Sequence, residues 1–249
     1  MNRARLARRA RLACAVALLA FAPAPPAGAE ATAADCNAYF PLRADARWVY
    51  EEGQKGSPAK MQRTITVRSV STSDGVTSAE LAQEVTLPGQ PGVVAGQAMT
   101  RAHCDASGVT LWIDGSAGVD GQTSAVIKAK LPGLPPADDL KPGFSWRGDS
   151  EVETMDAGTL VVAQGTRGSR VEGVESVTVP AGTFPEALRV ASVQTLTLRR
   201  GGDERYAKQQ TLEWYVRGIG LVKRETRTSA GSEAAASIEE LRSYSGLQR

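Results

Sequence analysis

The chain has 249 residues, 42% of them apolar and 22% charged, with 29 basic and 27 acidic side chains for a formal charge of +2. Five of the basic residues, Arg3, Arg5, Arg8, Arg9 and Arg11, stand in the first eleven positions, which leaves 24 basic against 27 acidic residues beyond them, a net of −3. That balance argues against nucleic acid, which calls for a basic patch or stripe. One histidine and three cysteines are too few for most metal sites and nucleophilic triads.

The arginines open the first element. An apolar run from Leu12 to Ala22 follows, then Pro23, Pro25 and Pro26, then the small residues Ala27-Gly28-Ala29. A basic segment, an apolar run and a small-residue site are the parts of a secretory signal, so residues 1–29 are predicted to be a signal helix cleaved near Ala29. The apolar run falls short of the roughly 20 residues a spanning helix needs, and no later stretch reaches that length. An uncleaved anchor is the alternative. Lipidation needs a cysteine at the end of the run, whereas Cys14 lies near its start and Cys36 well beyond it. The expected location is therefore periplasmic or secreted, with no transmembrane segment in the mature part, residues 30–249. About 220 residues suit a single β domain with a sizeable core.

Two cysteines remain after the signal, Cys36 and Cys104. An even count in an oxidising compartment predicts a disulfide between them, with two buried free thiols as the alternative.

The rest of the chain reads as strands and turns. Thr64-Ile65-Thr66-Val67-Arg68 and Val109-Thr110-Leu111-Trp112-Ile113-Asp114 alternate in polarity. Leu188, Val190, Leu196 and Leu198 share one parity, and Leu212, Trp214 and Val216 line one face with Glu213 and Arg217 on the other. Period two with one apolar face describes antiparallel strands. Breaks rich in Gly, Pro, Ser and Asp, such as 53–58, 88–92 and 132–136, separate them. The prediction is an all-β domain of roughly a dozen strands, as a curved antiparallel sheet, half-open barrel or sandwich.

Two turns have a mechanism. In Val179-Pro180-Ala181-Gly182-Thr183-Phe184, Pro180 suits the second turn position and Gly182 one that can need positive φ. In Trp214-Tyr215-Val216-Arg217-Gly218-Ile219-Gly220-Leu221-Val222, Gly218 and Gly220 suggest a tight hairpin; Lys223 stands where a phosphate loop would need its third glycine. Leu42 to Trp48 and Leu140 to Trp146 share their spacing. Either this marks two similar halves, about 36–131 and 137–249, or it is coincidence. Residues 233–241 favour helix by propensity, yet a last strand from about Ile238 is expected, because a chain end is usually tied into its sheet.

Chemical constellations are missing. His103 beside Cys104 reads as a surface or strand residue, and no metal ligand set or cofactor motif is present. The Asp114–Asp120 stretch reads as a solvated hairpin loop and lacks the order of a calcium loop. Asp138-Asp139 and Glu239-Glu240 are adjacent, and neighbours in a strand point to opposite faces, so neither pair makes a dyad. Trp48, Tyr50, Trp112 and Trp214 are candidates to line an apolar pocket, against core packing as the plainer role.

Cys36-Asn37-Ala38-Tyr39-Phe40-Pro41-Leu42 with Trp48-Val49-Tyr50-Glu51, the Val179–Phe184 turn, Trp214-Tyr215 with Gly218, Gly220, Leu221, Val222 and Lys223, and the ending Glu240-Leu241 together resemble a group of uncharacterised secreted bacterial proteins, a β-rich domain of unknown function. Asp45-Ala46 stands where that group often has a glycine. More loosely the chain is similar to the half-open barrels of lipoprotein carriers in the bacterial envelope. The resemblance implies a β-rich fold and brings no catalytic residue.

The expectation is thus a non-enzymatic exported envelope protein that needs no cofactor. It would bind a lipid, another apolar molecule or a lipidated partner on a curved sheet. The alternatives are an interaction module of a periplasmic protein complex and, more remotely, a hydrolase built on a carboxylate pair from distant strands.

Overall fold

A computed structural model of the chain describes residues 36–247 except 88, 91, 92, 120, 121, 157, 231 and 232. The predicted signal peptide and its cut near Ala29 lie outside the described residues. Twelve strands follow in order: β1 (Arg47–Gln54), β2 (Lys60–Ser73), β3 (Val76–Thr86), β4 (Val94–Asp105), β5 (Gly108–Val119), β6 (Gln122–Pro132), β7 (Ser145–Asp156), β8 (Thr159–Val179), β9 (Gly182–Arg200), β10 (Asp203–Val216), β11 (Gly220–Ala230) and β12 (Glu233–Ser245). Each pairs antiparallel with its neighbour in sequence, and β1 pairs with β12, so the sheet closes into an up-and-down barrel. Closure removes the two open edges that a half-open sheet would leave unpaired. Among the described residues, no helix is long and apolar enough to cross a membrane.

The outer face of this barrel carries opposed charges. Glu80 lies beside Arg101, Lys130 beside Glu151, and Lys128 between Asp114 and Glu153, all exposed. A lipid-facing wall tolerates such residues badly, at about 2–4 kcal/mol for each Arg or Lys at mid-membrane depth. Opposed charges of this kind suit a surface of β3 to β7 that meets water. The Asp114–Val119 stretch, expected to be a hairpin loop, continues β5; Gly115 is kept small there because a Cβ would lie 2.6 Å from that of Ala98. Asp120 lies outside the described residues.

The apolar core gathers where the N-terminal arm and the connection between β6 and β7 meet the strands. Leu42, Ala46, Trp48, Val67 and Val222 form one buried cluster, and Leu134, Leu140, Val171, Leu188 and Val190 a second. Phe40 packs against both. The arm is fastened at several points. Cys36 is bridged to Cys104. Fully buried Asn37 donates from Nδ2 to the Pro135 carbonyl at 2.6 Å, and Gly218 N–H donates to the Ala38 carbonyl at 2.7 Å.

The Leu-to-Trp repeat makes the same backbone contacts twice. Asp45 N–H donates to the Val67 carbonyl and Val67 N–H to Ala46; Gly143 N–H donates to the Val171 carbonyl and Val171 N–H to Phe144. Asp45 and Gly143 both take positive φ, 63° and 93°, which shows that aspartate serves where a glycine would be easier. Val67 and Val171 each precede a bulge in the following pair.

The long β8–β9 hairpin bends at two register shifts, and its far end reaches back to the barrel. Ala181 N–H donates to the Leu241 carbonyl at 3.0 Å, and Trp214 Nε1 donates to Glu175 at 2.7 Å. The three predicted turn glycines all take positive φ: Gly182 (134°), Gly218 (76°) and Gly220 (96°). The C-terminal segment, ambiguous by propensity, is strand from Glu233.

Candidate functional site

Closing twelve strands leaves more interior than side chains fill, because barrel diameter grows with strand number. The interior here holds a cavity of about 490 Å³, within the range of roughly 300–1,000 Å³ typical of small-molecule sites. Its lining divides by arc. Ile65 on β2, Leu81 on β3, Leu111 and Ile113 on β5, Leu131 on β6 and Trp146 on β7 supply an apolar side, interrupted by Gln83 and Thr100. Strands β8 to β12 supply hydroxyls, amides and charges.

Strand alternation decides which residues enter. Glu213 faces the cavity with Thr211 and Tyr215, so the polar parity of β10 points inward. Its apolar parity, Leu212, Trp214 and Val216, packs with the apolar cluster that includes Val177, Val179 and Phe184 of the β8–β9 hairpin. Trp214 is thus buried by that hairpin, between Arg189 and Lys223, and does not line the cavity. Trp112 also stands outside, on the opposite parity from Leu111 and Ile113, with its ring 4.7 Å from that of His103. Neither residue lines this cavity, and Trp214 takes the core-packing role. Trp48 and Tyr50 do line the cavity, each anchored by a hydrogen bond: Trp48 Nε1 to the Ile219 carbonyl at 2.7 Å and Tyr50 Oη to the Leu221 carbonyl at 3.0 Å. Burial, chiefly, pushes the Tyr50 and Tyr215 hydroxyls well above their ordinary pKa, so both remain protonated donors.

Five charged residues form a continuous chain around the polar arc. Arg63 on β2 donates to Glu239 on β12; Arg224 on β11 donates to Glu239 Oε2 at 2.9 Å and to Glu213 Oε1 at 2.9 Å; Arg167 on β8 donates to Glu213 Oε2. The two end arginines are placed alike. Arg63 stands four residues before Val67 and Arg167 four before Val171, and each also bonds a neighbouring strand, Arg63 to Gln83 at 3.1 Å and Arg167 to Ser192 at 2.9 Å. The Arg63 guanidinium lies 5.2 Å from the Tyr50 ring centroid. The Nε–H groups of Arg63 and Arg167 are buried without an acceptor, so the end guanidiniums are only partly satisfied.

Burial alone would raise both carboxyl pKa values. The charges of Arg167 and Arg224 outweigh it at Glu213, and those of Arg63 and Arg224 at Glu239, so both titrate below the ordinary glutamate range. Glu213 and Glu239, two of the three carboxylates that line the cavity, come from distant strands, as a hydrolase would require. Both are held ionised, and a general acid needs its pKa raised. Of the adjacent pairs, Glu239 faces in while Glu240 reaches Lys60, and Asp138-Asp139 lies in a turn. No group of three His, Cys, Asp or Glu side chains among the described residues could hold a metal.

The chain thus folds as an antiparallel barrel with charges on its exterior and a cavity lined by one apolar and one polar arc. Residues 140–237 match the DUF3108-like family model, a stretch that contains both the Val179–Phe184 turn and the Trp214–Lys223 hairpin. The same fold occurs in a candidate lipoprotein from Parabacteroides distasonis, 20% identical, with 85% of this chain and 100% of that one covered at a TM-score of 0.60. It occurs also in a candidate exported protein with a YmcC-like fold from Bacteroides fragilis, 14% identical, with 84% and 100% covered at a TM-score of 0.57. At these identities the likeness establishes the fold. No curated protein matches the chain.

Proposed function

We propose that this is a non-enzymatic ligand-binding protein of the bacterial envelope, and that its ligand is held inside the barrel. The observation that carries this reading is the cavity of about 490 Å³ with one apolar and one polar arc. A barrel whose only task was structural would gain by filling that space, since each unfilled methyl-sized void costs about 1 kcal/mol. The signal-like N-terminus, the bond between Cys36 and Cys104 and the descriptions of the two structural relatives support placement outside the cytoplasm. The clamped, ionised state of Glu213 and Glu239 supports binding over hydrolysis.

Native mass spectrometry of the protein purified from the envelope fraction, followed by organic extraction, tests this. A discrete adduct that extracts as a small molecule is expected. A mass equal to the bare chain, unchanged after incubation with envelope lipid extract, would contradict it and favour an interaction module, whose partners crosslinking would reveal.

A further inference from the structure

The two ends of the charge chain differ in their surroundings. Near Arg63 a third carboxylate, Glu52 of β1, lines the same cavity directly opposite Glu239. Near Arg167 the lining is otherwise uncharged. Ser150, Ser169, Gln194, Gln209 and Thr211 present hydroxyls and amides there, with Glu213 as the neighbouring carboxylate. The cavity therefore holds three arginines and three glutamates, Arg63, Arg167, Arg224, Glu52, Glu213 and Glu239, and its negative charge is weighted toward the β1–β12 side.

Arg167 is held in place from two sides. Both of its hydrogen bonds leave from Nη2, to Ser192 and to Glu213, while 23% of its side chain stays open to the interior. A guanidinium fixed in this way offers its remaining edge to an acidic group in a defined direction. Ser169 and Ser192 share a hydrogen bond of 2.9 Å, and the Gln194 amide reaches Ser150, so the surrounding donors are ordered as well. The apolar arc on β3, β5, β6 and β7 lies around the barrel from this group.

We propose that the interior recognises an amphipathic anion, whose acidic group (a carboxylate or a phosphate) docks on Arg167 among those hydroxyls and amides, and whose apolar part lies along Leu81, Leu111, Ile113 and Leu131. This rests on the reading that the barrel interior is the binding site. It adds that the cargo carries negative charge, and it assigns the residue that reads it. Removing Arg167 is tolerable for the fold, because Glu213 keeps its bond to Arg224.

The test is calorimetric titration of the purified protein, stripped of bound material, with three probes of equal chain length: dodecanoate, dodecyl phosphate and dodecanol. At least one anion is expected to bind about tenfold or more tightly than the alcohol, the gain a charge-assisted hydrogen bond supplies. The better anion identifies the source, fatty acid or phosphorylated lipid. Arg167→Gln is expected to erase that preference, lowering affinity for the favoured anion about tenfold more than affinity for dodecanol. Equal affinity for all three probes, or an equal loss for acid and alcohol in Arg167→Gln, would overturn the proposal while leaving the interior as a site. Binding of none of them would overturn both. Should Arg167→Gln fail to fold, the comparison of acid with alcohol on the unaltered protein decides alone.

Discussion

Glu213 and Glu239, on strands separated by β11, are joined through a single side chain: Arg224 donates to one at 2.9 Å and to the other at 2.9 Å. Both glutamates are almost fully buried, so the arrangement stands only while the guanidinium is present. The neighbours Arg63 and Arg167 each neutralise one carboxylate from outside, and Arg224 alone serves both.

Arg224→Gln is therefore expected to cost more than the loss of either end arginine. Breaking a buried pair by removing one partner costs about 3–5 kcal/mol. Arg224 keeps 34% of its side chain open, which points to the lower end of that range. Urea unfolding of Arg224→Gln, Arg63→Gln and Arg167→Gln measures this. Adding Glu213→Gln and Glu239→Gln to Arg224→Gln should recover part of the loss, because no buried carboxylate is then left without a cation.

Acid stability follows from the same groups. The folded pKa values of Glu213 and Glu239 lie below their unfolded value, so the folded state binds these protons less readily than the unfolded chain. Their stabilisation is complete above the unfolded value of about 4.3 and is lost as pH falls through the folded values. Unfolding followed by circular dichroism should show a plateau above about pH 5 and a decline below about pH 4. The Glu213→Gln/Glu239→Gln double variant is expected to flatten that decline. Arg224→Gln is expected to move the acid midpoint to higher pH.

The bond between Cys36 and Cys104 closes a loop of 68 residues and pins the arm that carries Phe40 and Leu42. Non-reducing peptide mapping should yield the two cysteines in one linked species. Cys36→Ser/Cys104→Ser is expected to lose about 4 kcal/mol in urea unfolding, the loop-closure value for that length. A loss confined to a few tenths of a kcal/mol would mean that Asn37 and Ala38 hold the arm without it.

Much of the fold was legible because period-two alternation and turn residues survive in the sequence. The β9 and β10 runs, the Val179–Phe184 turn and the glycines of the late hairpin all stand where their patterns place them. Closure was not legible: the β1–β12 pairing joins chain ends through backbone bonds that leave no mark on either strand's own pattern. Trp214 takes its plainer expected role, core packing, and leaves the cavity to the opposite parity of β10. In an open sheet the apolar parity marks the core, and that logic made Trp214 a candidate for the pocket; here the hairpin end of β8 and β9 buries that face, which frees Glu213 to point inward. The charge chain draws on β2, β8, β10, β11 and β12, so its members appear in sequence as unrelated exposed residues. One signal was available. In the strand after each Leu-to-Trp opening's own strand, an arginine stands four residues before the valine that bonds back to the opening, Arg63 before Val67 and Arg167 before Val171. For Trp112, its own alternation with Leu111 and Ile113 already placed it on the outer face.

The central claim is that ligand occupies the barrel interior. Leu111→Trp tests it most directly, because this half-buried side chain lines the apolar arc and a larger one would take up cavity volume from within. Titration of this variant with the tightest-binding dodecyl probe is expected to show affinity reduced about tenfold or more, the scale on which filling a hydrophobic pocket discriminates, with the melting temperature little changed. Affinity equal to that of the unaltered protein, in a variant that remains folded, would contradict the account and move the binding site to the exterior.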